Sequence, residues 1–288
     1  MAGADLADAD ADGRAAVAGG ERSCVRLSAR RRIARTAALG AVGVLVLVVS
    51  VSRGHTAPEP VGHRGTWRLI FDDEFGGTHL DTTRWSTGWY GSGITGPVNP
   101  SEAQCYDPAQ VAVAHGQLDL QLVSRTVRCS TGSGQITRPY VSGIVTTNGK
   151  FAFTHGYIEA RVWMPGTGSI ADWPAVWAVG HNWPAGGELD VVEGLGGQAC
   201  WHFHDPSGAP GGCSRRRFAG GWHVFGAEWR SGVVTWYYDG TRVGAVTAGI
   251  TSDPMYLILG LDVRDASYGG PIQVPETFLI DYVRVWQH

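Results

Sequence analysis

The sequence predicts an all-β domain, an antiparallel sandwich or barrel, and three observations carry that prediction. From Trp67 onward, short runs of β-branched, aromatic and aliphatic residues alternate with clusters of Gly, Pro, Asn and Asp. Some runs alternate by face: Leu118, Leu120 and Leu122 are separated by Asp119 and Gln121, as in a strand buried on one side. No stretch after Trp67 carries a helical period of useful length. The 42 glycines in 288 residues are roughly twice the usual ~7%, and turn chemistry accounts for them. They follow no three-residue period, which excludes collagen, and 43% hydrophobic content excludes general disorder. Charged residues make up only 17% of the chain and form no basic domain, so a nucleic-acid partner is not expected.

Taken in order, the chain opens on a disordered or basic segment, residues 1–35, rich in Ala, Asp and Gly up to Ser23. Its last part, Arg26–Arg35, holds five arginines and precedes the apolar run Thr36–Ser52. A basic stretch followed by such a run reads as an export signal or a signal anchor, the 36–52 segment. Arg30-Arg31-Arg32-Ile33-Ala34-Arg35 loosely resembles a twin-arginine motif, with Ala29 where Ser or Thr is usual. The body is therefore expected outside the cytoplasm, secreted or held at the membrane through residues 36–52 if they are not cleaved. Residues 53–64, with Pro58 and Pro60, read as a linker, and residues 65–288 as one β domain. The net charge of −3 averages a segment 1–53 of +3 with a remainder of −6.

Within the domain, strands are expected at Gln117–Val123, Gly156–Val162, Glu188–Val192, Val233–Tyr238, Met255–Leu261 and Phe278–Trp286. Asp239-Gly240, between two such runs, signals a hairpin turn. Cys105, Cys129, Cys200 and Cys213 are an even number in the exported part. Three pairings are open to them, of which Cys105–Cys129 and Cys200–Cys213 close the shortest loops. Metal binding by Cys200 and Cys213 with His202 and His204 is the rival reading, disfavoured because no C-x-x-C spacing occurs.

The most informative stretch is Gly187-Glu188-Leu189-Asp190-Val191-Val192-Glu193-Gly194. On a strand, Glu188 and Asp190 share a face while Glu193 falls on the other. A β-bulge at Val191-Val192 absorbs one residue and returns Glu193 to the face of the other two acids. Two Glu side chains leaning together then reach the roughly 5–5.5 Å separation of a retaining glycosidase. Like charges gathered this way raise one proton affinity, which keeps one group protonated near neutrality.

Glu188-Leu189-Asp190-Val191-Val192-Glu193 resembles the E-x-D-x-x-E signature of glycoside hydrolase family 16, in its bulged, laminarinase-like form. Trp67–Phe75, Gly156–Arg161, Trp173–Trp177, Phe225–Trp229, Trp236–Gly240 and Asp281–Trp286 resemble other family segments in the family's order, so the likeness covers nearly all of 65–288. The resemblance implies a concanavalin A-like jelly roll with a carbohydrate-binding cleft. It implies Glu188 as nucleophile, Glu193 as general acid/base and Asp190 as the group that orients and tunes them. Glu102, Gln104 and Tyr106 resemble a cleft-lining E-x-Q-x-Y strand, and Trp173, Trp177, Trp183 and Trp201 are candidates for stacking on sugar rings. His202 and His204 share a face just after the acidic strand. No cofactor is expected for the chemistry. The family's structural calcium would draw on a last-strand carboxylate, here Asp281. The implied activity is retaining endo-hydrolysis of a polysaccharide, β-1,3-glucan or mixed-linkage β-1,3-1,4-glucan, by a monomer. The alternatives are a transglycosylase acting on β-glucan or a galactan, and a non-catalytic carbohydrate-binding protein. Gly260, where many laminarinase-like members carry Asn, and the Gly-rich Cys200–Cys213 segment depart from the pattern and bear on the cleft wall.

Overall fold

The computed structural model describes residues 58–264 and 268–288. The basic segment, the apolar run 36–52 and Cys24 lie outside the described residues. Among the described residues no helix is long and apolar enough to cross a membrane.

The chain forms β1 (Arg68–Asp73), β2 (Ser86–Thr87), β3 (Gln104–Tyr106), β4 (Val111–Ala114), β5 (Gln117–Thr131), β6 (Gly134–Ser142), β7 (Ile144–Thr146), β8 (Gly156–Met164), β9 (Trp173–Gly180), β10 (Glu188–Leu195), β11 (Gln198–His204), β12 (Gly211–Cys213), β13 (Gly221–Arg230), β14 (Val233–Tyr238), β15 (Thr241–Val246), β16 (Met255–Asp262) and β17 (Glu276–Gln287). They make a sandwich of two sheets. The larger, ten-stranded sheet runs β15-β14-β13-β8-β17-β5-β6-β3, with β1 on β17 and β4 on β5. The smaller runs β12-β11-β10-β9-β16-β7-β2. The ladders are antiparallel except that β3 lies parallel to β6.

The period-two patterns place the core. Leu118, Leu120 and Leu122 of β5 are fully buried between the sheets, opposite Leu189, Phe203 and Leu257 of the smaller sheet's strands in one apolar cluster. Burial of each such side chain contributes about 1.5–3 kcal/mol. The β14–β15 hairpin turns at Asp239 (φ 48°) and Gly240 (φ 70°). Two successive left-handed residues are what a tight hairpin with right-twisted strands requires, and Asp-Gly tolerates them.

All six expected strands are present, and β5 runs eight residues past Val123, to Thr131. Both local disulfides form: Cys105–Cys129 ties β3 to β5, and Cys200–Cys213 ties β11 to the edge strand β12. From Pro58 on, the stretch expected as a linker is docked. Trp286 Nε1 donates to the Pro58 carbonyl at 2.7 Å, Val61 N donates to buried Glu159 at 2.7 Å, and the His63 ring stacks on Tyr157.

Candidate active site

The outer face of the smaller sheet carries a cleft of about 570 Å³. Its floor comes from alternate residues of three neighbouring strands: Ala175, Trp177 and Val179 of β9, Tyr256 and Asp262 of β16, and the acids of β10. A volume of this size suits a bound ring or two, and aromatic walls suit the apolar faces of sugars.

The three β10 acids reach the cleft together because the strand bulges. Against β11, Asp190 pairs with His202 and Glu193 with Cys200, so three steps on β10 span two on β11. Against β9 the register slips between Asp190 and Val192. The extra residue returns Glu193 to the face of Glu188 and Asp190 while Val191 and Val192 stay fully buried beneath. A bulge frees backbone carbonyls that must find other partners. Here they find them across the core: Trp236 Nε1 donates to the Asp190 carbonyl at 2.7 Å, and Tyr238 Oη shares its one hydrogen between the Val191 carbonyl at 3.1 Å and the Cys200 carbonyl at 2.9 Å. Both donors stand on β14 of the other sheet, so the core itself sets the spacing of the acids. Trp236→Phe keeps the packing but orphans that carbonyl. We expect kcat to fall about tenfold, with KM and the strand content by circular dichroism little changed.

Each acid is held by specific neighbours. Glu193 is 5% exposed, with Trp173 Nε1 donating to Oε1 at 3.1 Å and His202 Nδ1 2.8 Å from Oε2. Nδ1 donates to the carboxylate or, in the other tautomer, accepts from the acid, which suits a group that carries a proton in and out. Asp190 is 2% exposed, with His204 Nε2 2.9 Å from Oδ2. Burial, then the flanking Glu193 and Glu188, push the Asp190 carboxyl well above the carboxylate range. Burial, then the charge of Glu193, push Glu188 up to about 7, against opposing hydrogen bonds from Trp183 and Asp190. Burial lowers the His204 imidazole, keeping it neutral.

Beyond Trp177, Glu102 and Tyr106 line the cleft as expected from sequence. Gln104 shares their face but is fully buried: it donates to Glu102 at 2.7 Å and to Tyr106 Oη at 2.8 Å, and accepts from Val263 N. It braces the other two from below. Asp262, which sequence reasoning passed over, joins them by a short bond with Tyr106 Oη. Gly260 makes the room: a Cβ there would sit 3.0 Å from the Trp177 ring and 3.1 Å from Asp262 Oδ1.

Of the four stacking candidates, Trp173, Trp177 and Trp183 line the cleft, Trp183 being 57% exposed. Trp201 does not. It points into the core between the sheets, edge-on to Tyr238 and against Gly244, where a Cβ would lie 2.5 Å from its ring. The reason is alternation: His202 and His204 face outward, so Trp201, next to His202, faces inward with Phe203. Trp201→Ala is expected to cost about 3–5 kcal/mol of stability, on the order of a 10 °C drop in Tm, with KM for polysaccharide unchanged in the folded fraction. Asp281 lies elsewhere, on β17 of the larger sheet. Its carboxylate is paired with Arg161 at 2.7 Å, and among the described residues it joins no group of three or more His, Cys, Asp or Glu side chains. A calcium ion there would share the carboxylate with that guanidinium and take its other oxygens from elsewhere.

The raised carboxyls have a consequence for stability. Glu102, Asp172 and Glu188 are pushed up to about 7, burial being the first cause at each. Unfolded, they titrate at about 4. Between those limits the folded state binds more protons than the unfolded one, so stability falls as pH rises through the window. Calorimetry from pH 5 to pH 8 is expected to show Tm falling, and falling less steeply in Glu102→Gln.

The family model that matches is described as an XgeA-like catalytic domain of glycoside hydrolase family 16, over residues 123–203. A glucan endo-1,3-beta-glucosidase A1 of Niallia circulans is 29% identical over 264 residues, covering 76% of this chain and 38% of that protein. An endo-1,3-1,4-beta-glycanase of Rhizobium meliloti is 32% identical over 164 residues, covering 51% of this chain and 33% of that protein. The chain thus spans well under half the length of these curated relatives. Among solved structures, the endo-beta-1,3-glucanase of Pyrococcus furiosus superposes with a TM-score of 0.66 at 26% identity, covering 77% of this chain and 94% of that one.

Proposed function

We propose that the chain is a member of glycoside hydrolase family 16 and a retaining endo-β-glycosidase of β-1,3-glucan or mixed-linkage β-1,3-1,4-glucan. The observation that carries this reading is the bulge that gathers Glu188, Asp190 and Glu193 on the floor of an aromatic cleft. Glu188 attacks the anomeric carbon as the bond to the glycosidic oxygen breaks, and the Glu193 proton passes to that oxygen. Water then attacks the glycosyl–Glu188 ester from the opposite face, giving its proton to Glu193, so the β configuration is kept. Asp190, protonated between the two, withdraws charge from Glu188 in the free enzyme and holds it in line. Trp173 and His202 fix both oxygens of Glu193, and Trp177 and Trp183 present ring faces to the sugars.

Export is part of the proposal. Two disulfides in the domain suit an oxidising compartment, and the basic stretch before the apolar run 36–52 suits a signal or anchor. A polysaccharide panel incubated with the protein tests the activity. Oligosaccharides of several lengths released early from laminarin or a cereal β-glucan support an endo-glucanase. Release from neither removes the substrate assignment.

A further inference from the structure

We propose that the Glu102–Tyr106–Asp262 cluster makes the cleft selective for uncharged polysaccharide chains by holding one fixed negative charge beside the catalytic acids. The inference rests on the endo-glycosidase reading and adds a determinant of substrate class to it.

Tyr106 Oη has one hydrogen to give and two lone pairs. Gln104 Nε2 donates to it at 2.8 Å, and the amide cannot be flipped because Gln104 Oε1 accepts from Val263 N at 2.8 Å. Glu102 Oε2 lies at 3.0 Å, and Asp262 Oδ1 closer still. The phenol can donate to only one of these carboxyls. Glu102 Oε2 also accepts from Gln104 Nε2 at 2.7 Å, but the second carboxyl bonds to the phenol oxygen only by carrying a proton and donating to the remaining lone pair. Two carboxyls and one phenol close without an unpaired group when they share a single added proton, leaving the cluster at −1. Burial acts in the same direction, pushing Glu102 up to about 7 and Asp262 well up.

Glu102, Glu188, Asp190, Glu193 and Asp262 line the cleft, and no Lys or Arg does among the described residues. The guanidinium of Arg264, stacked on the cleft-lining Tyr268, acts on Glu102 from behind that ring, and its pull is outweighed by burial. Glu102 and Asp262 are 6% and 5% exposed, so water screens them little. A sugar bearing a carboxylate or sulfate would enter a negative, poorly solvated groove and lose its own hydration. A neutral ring, with hydroxyls that donate to carboxylates and apolar faces for Trp177, pays no such penalty.

The proton count fixes an unusual pattern of variants. In Asp262→Asn, the new amide donates to Tyr106 Oη, the phenol donates to ionised Glu102, and the cluster stays at −1. In Glu102→Gln/Asp262→Asn it becomes neutral with every bond still satisfied. The test compares carboxymethyl and hydroxyethyl β-1,3-glucan of equal substitution, which match in backbone and bulk and differ in charge. At low salt, wild type is expected to cleave the carboxymethyl polymer with kcat/KM at least tenfold lower than the hydroxyethyl polymer, for like charges about 5–10 Å apart at an effective dielectric of about 20. The single variant keeps that ratio. The double variant narrows it at least threefold, and added salt narrows it in wild type. Equal cleavage of both polymers by wild type, or an unchanged ratio in the double variant, overturns the proposal.

The same ratio is read without catalysis by affinity electrophoresis of Glu188→Gln in gels holding charged or uncharged glucan and galactan. If neither glucan is cleaved, the endo-glucanase reading fails, while retardation by uncharged gels alone still upholds charge selection. Equal retardation by both, or by neither, overturns it.

Discussion

Glu188→Ala is expected to lower kcat/KM on β-1,3-glucan by about 10⁴-fold or more, the scale seen when a covalent nucleophile is removed. No neighbour can take its place. Asp190 shares the face but is 2% exposed, with burial and the flanking glutamates opposing its ionisation, and Glu193 is engaged by Trp173 and His202. The variant is expected to fold, because Glu188 is a carboxyl whose burial opposes its own ionisation. Its Tm near pH 7 is expected to equal or exceed that of wild type. Truncation also leaves a space on the side of the anomeric carbon where the carboxylate stood. Azide diffusing into that space attacks in its stead, and turnover of an activated aryl glycoside returns as an α-glycosyl azide. A variant that keeps more than about a hundredth of wild-type activity would show that another group forms the bond.

Glu193→Gln separates the two steps. With polysaccharide the leaving oxygen needs a proton, and a loss of about 10²–10⁴-fold is expected. With a dinitrophenyl leaving group, whose oxygen departs unassisted, glycosylation of Glu188 is nearly as fast as in wild type. Deglycosylation still lacks its base, so a burst of one equivalent of dinitrophenol is followed by slow turnover. Mass spectrometry then finds the sugar on the peptide holding Glu188. Equal losses on both substrates would place Glu193 outside proton transfer.

Much of this site was legible in the sequence because it rests on strand periodicity. Odd spacing between Glu188 and Glu193, set against the chemical use of a shared face, demanded a bulge at Val191-Val192, and the register slips there. Periodicity also showed that Glu102, Gln104 and Tyr106 stand together, but it carries no depth, so Gln104 read as cleft-lining when it lies beneath. Trp201 and His202 were both assigned to the cleft although adjacent strand residues point oppositely. The strands β9 and β16 are apolar on both faces, one toward the core and one toward the cleft. Alternation was therefore silent in β9, and in β16 Asp262 passed as the end of an apolar run. The signal was present in the spacing Tyr256, Ile258, Gly260, Asp262, which sets a carboxyl on a face of otherwise apolar or absent side chains. The donors that hold the bulge, Trp236 and Tyr238, come from the other sheet, and no local pattern foretells a contact 46 or 47 residues away.

Double displacement by Glu188 and Glu193 from one bulged strand is tested by proton NMR of the first product released from laminarin, recorded before mutarotation. The β-anomer is expected to form first and the α-anomer to grow in only as the sugar equilibrates. An α-anomer at the earliest time would mean direct attack by water, and would contradict the role of Glu188 as nucleophile.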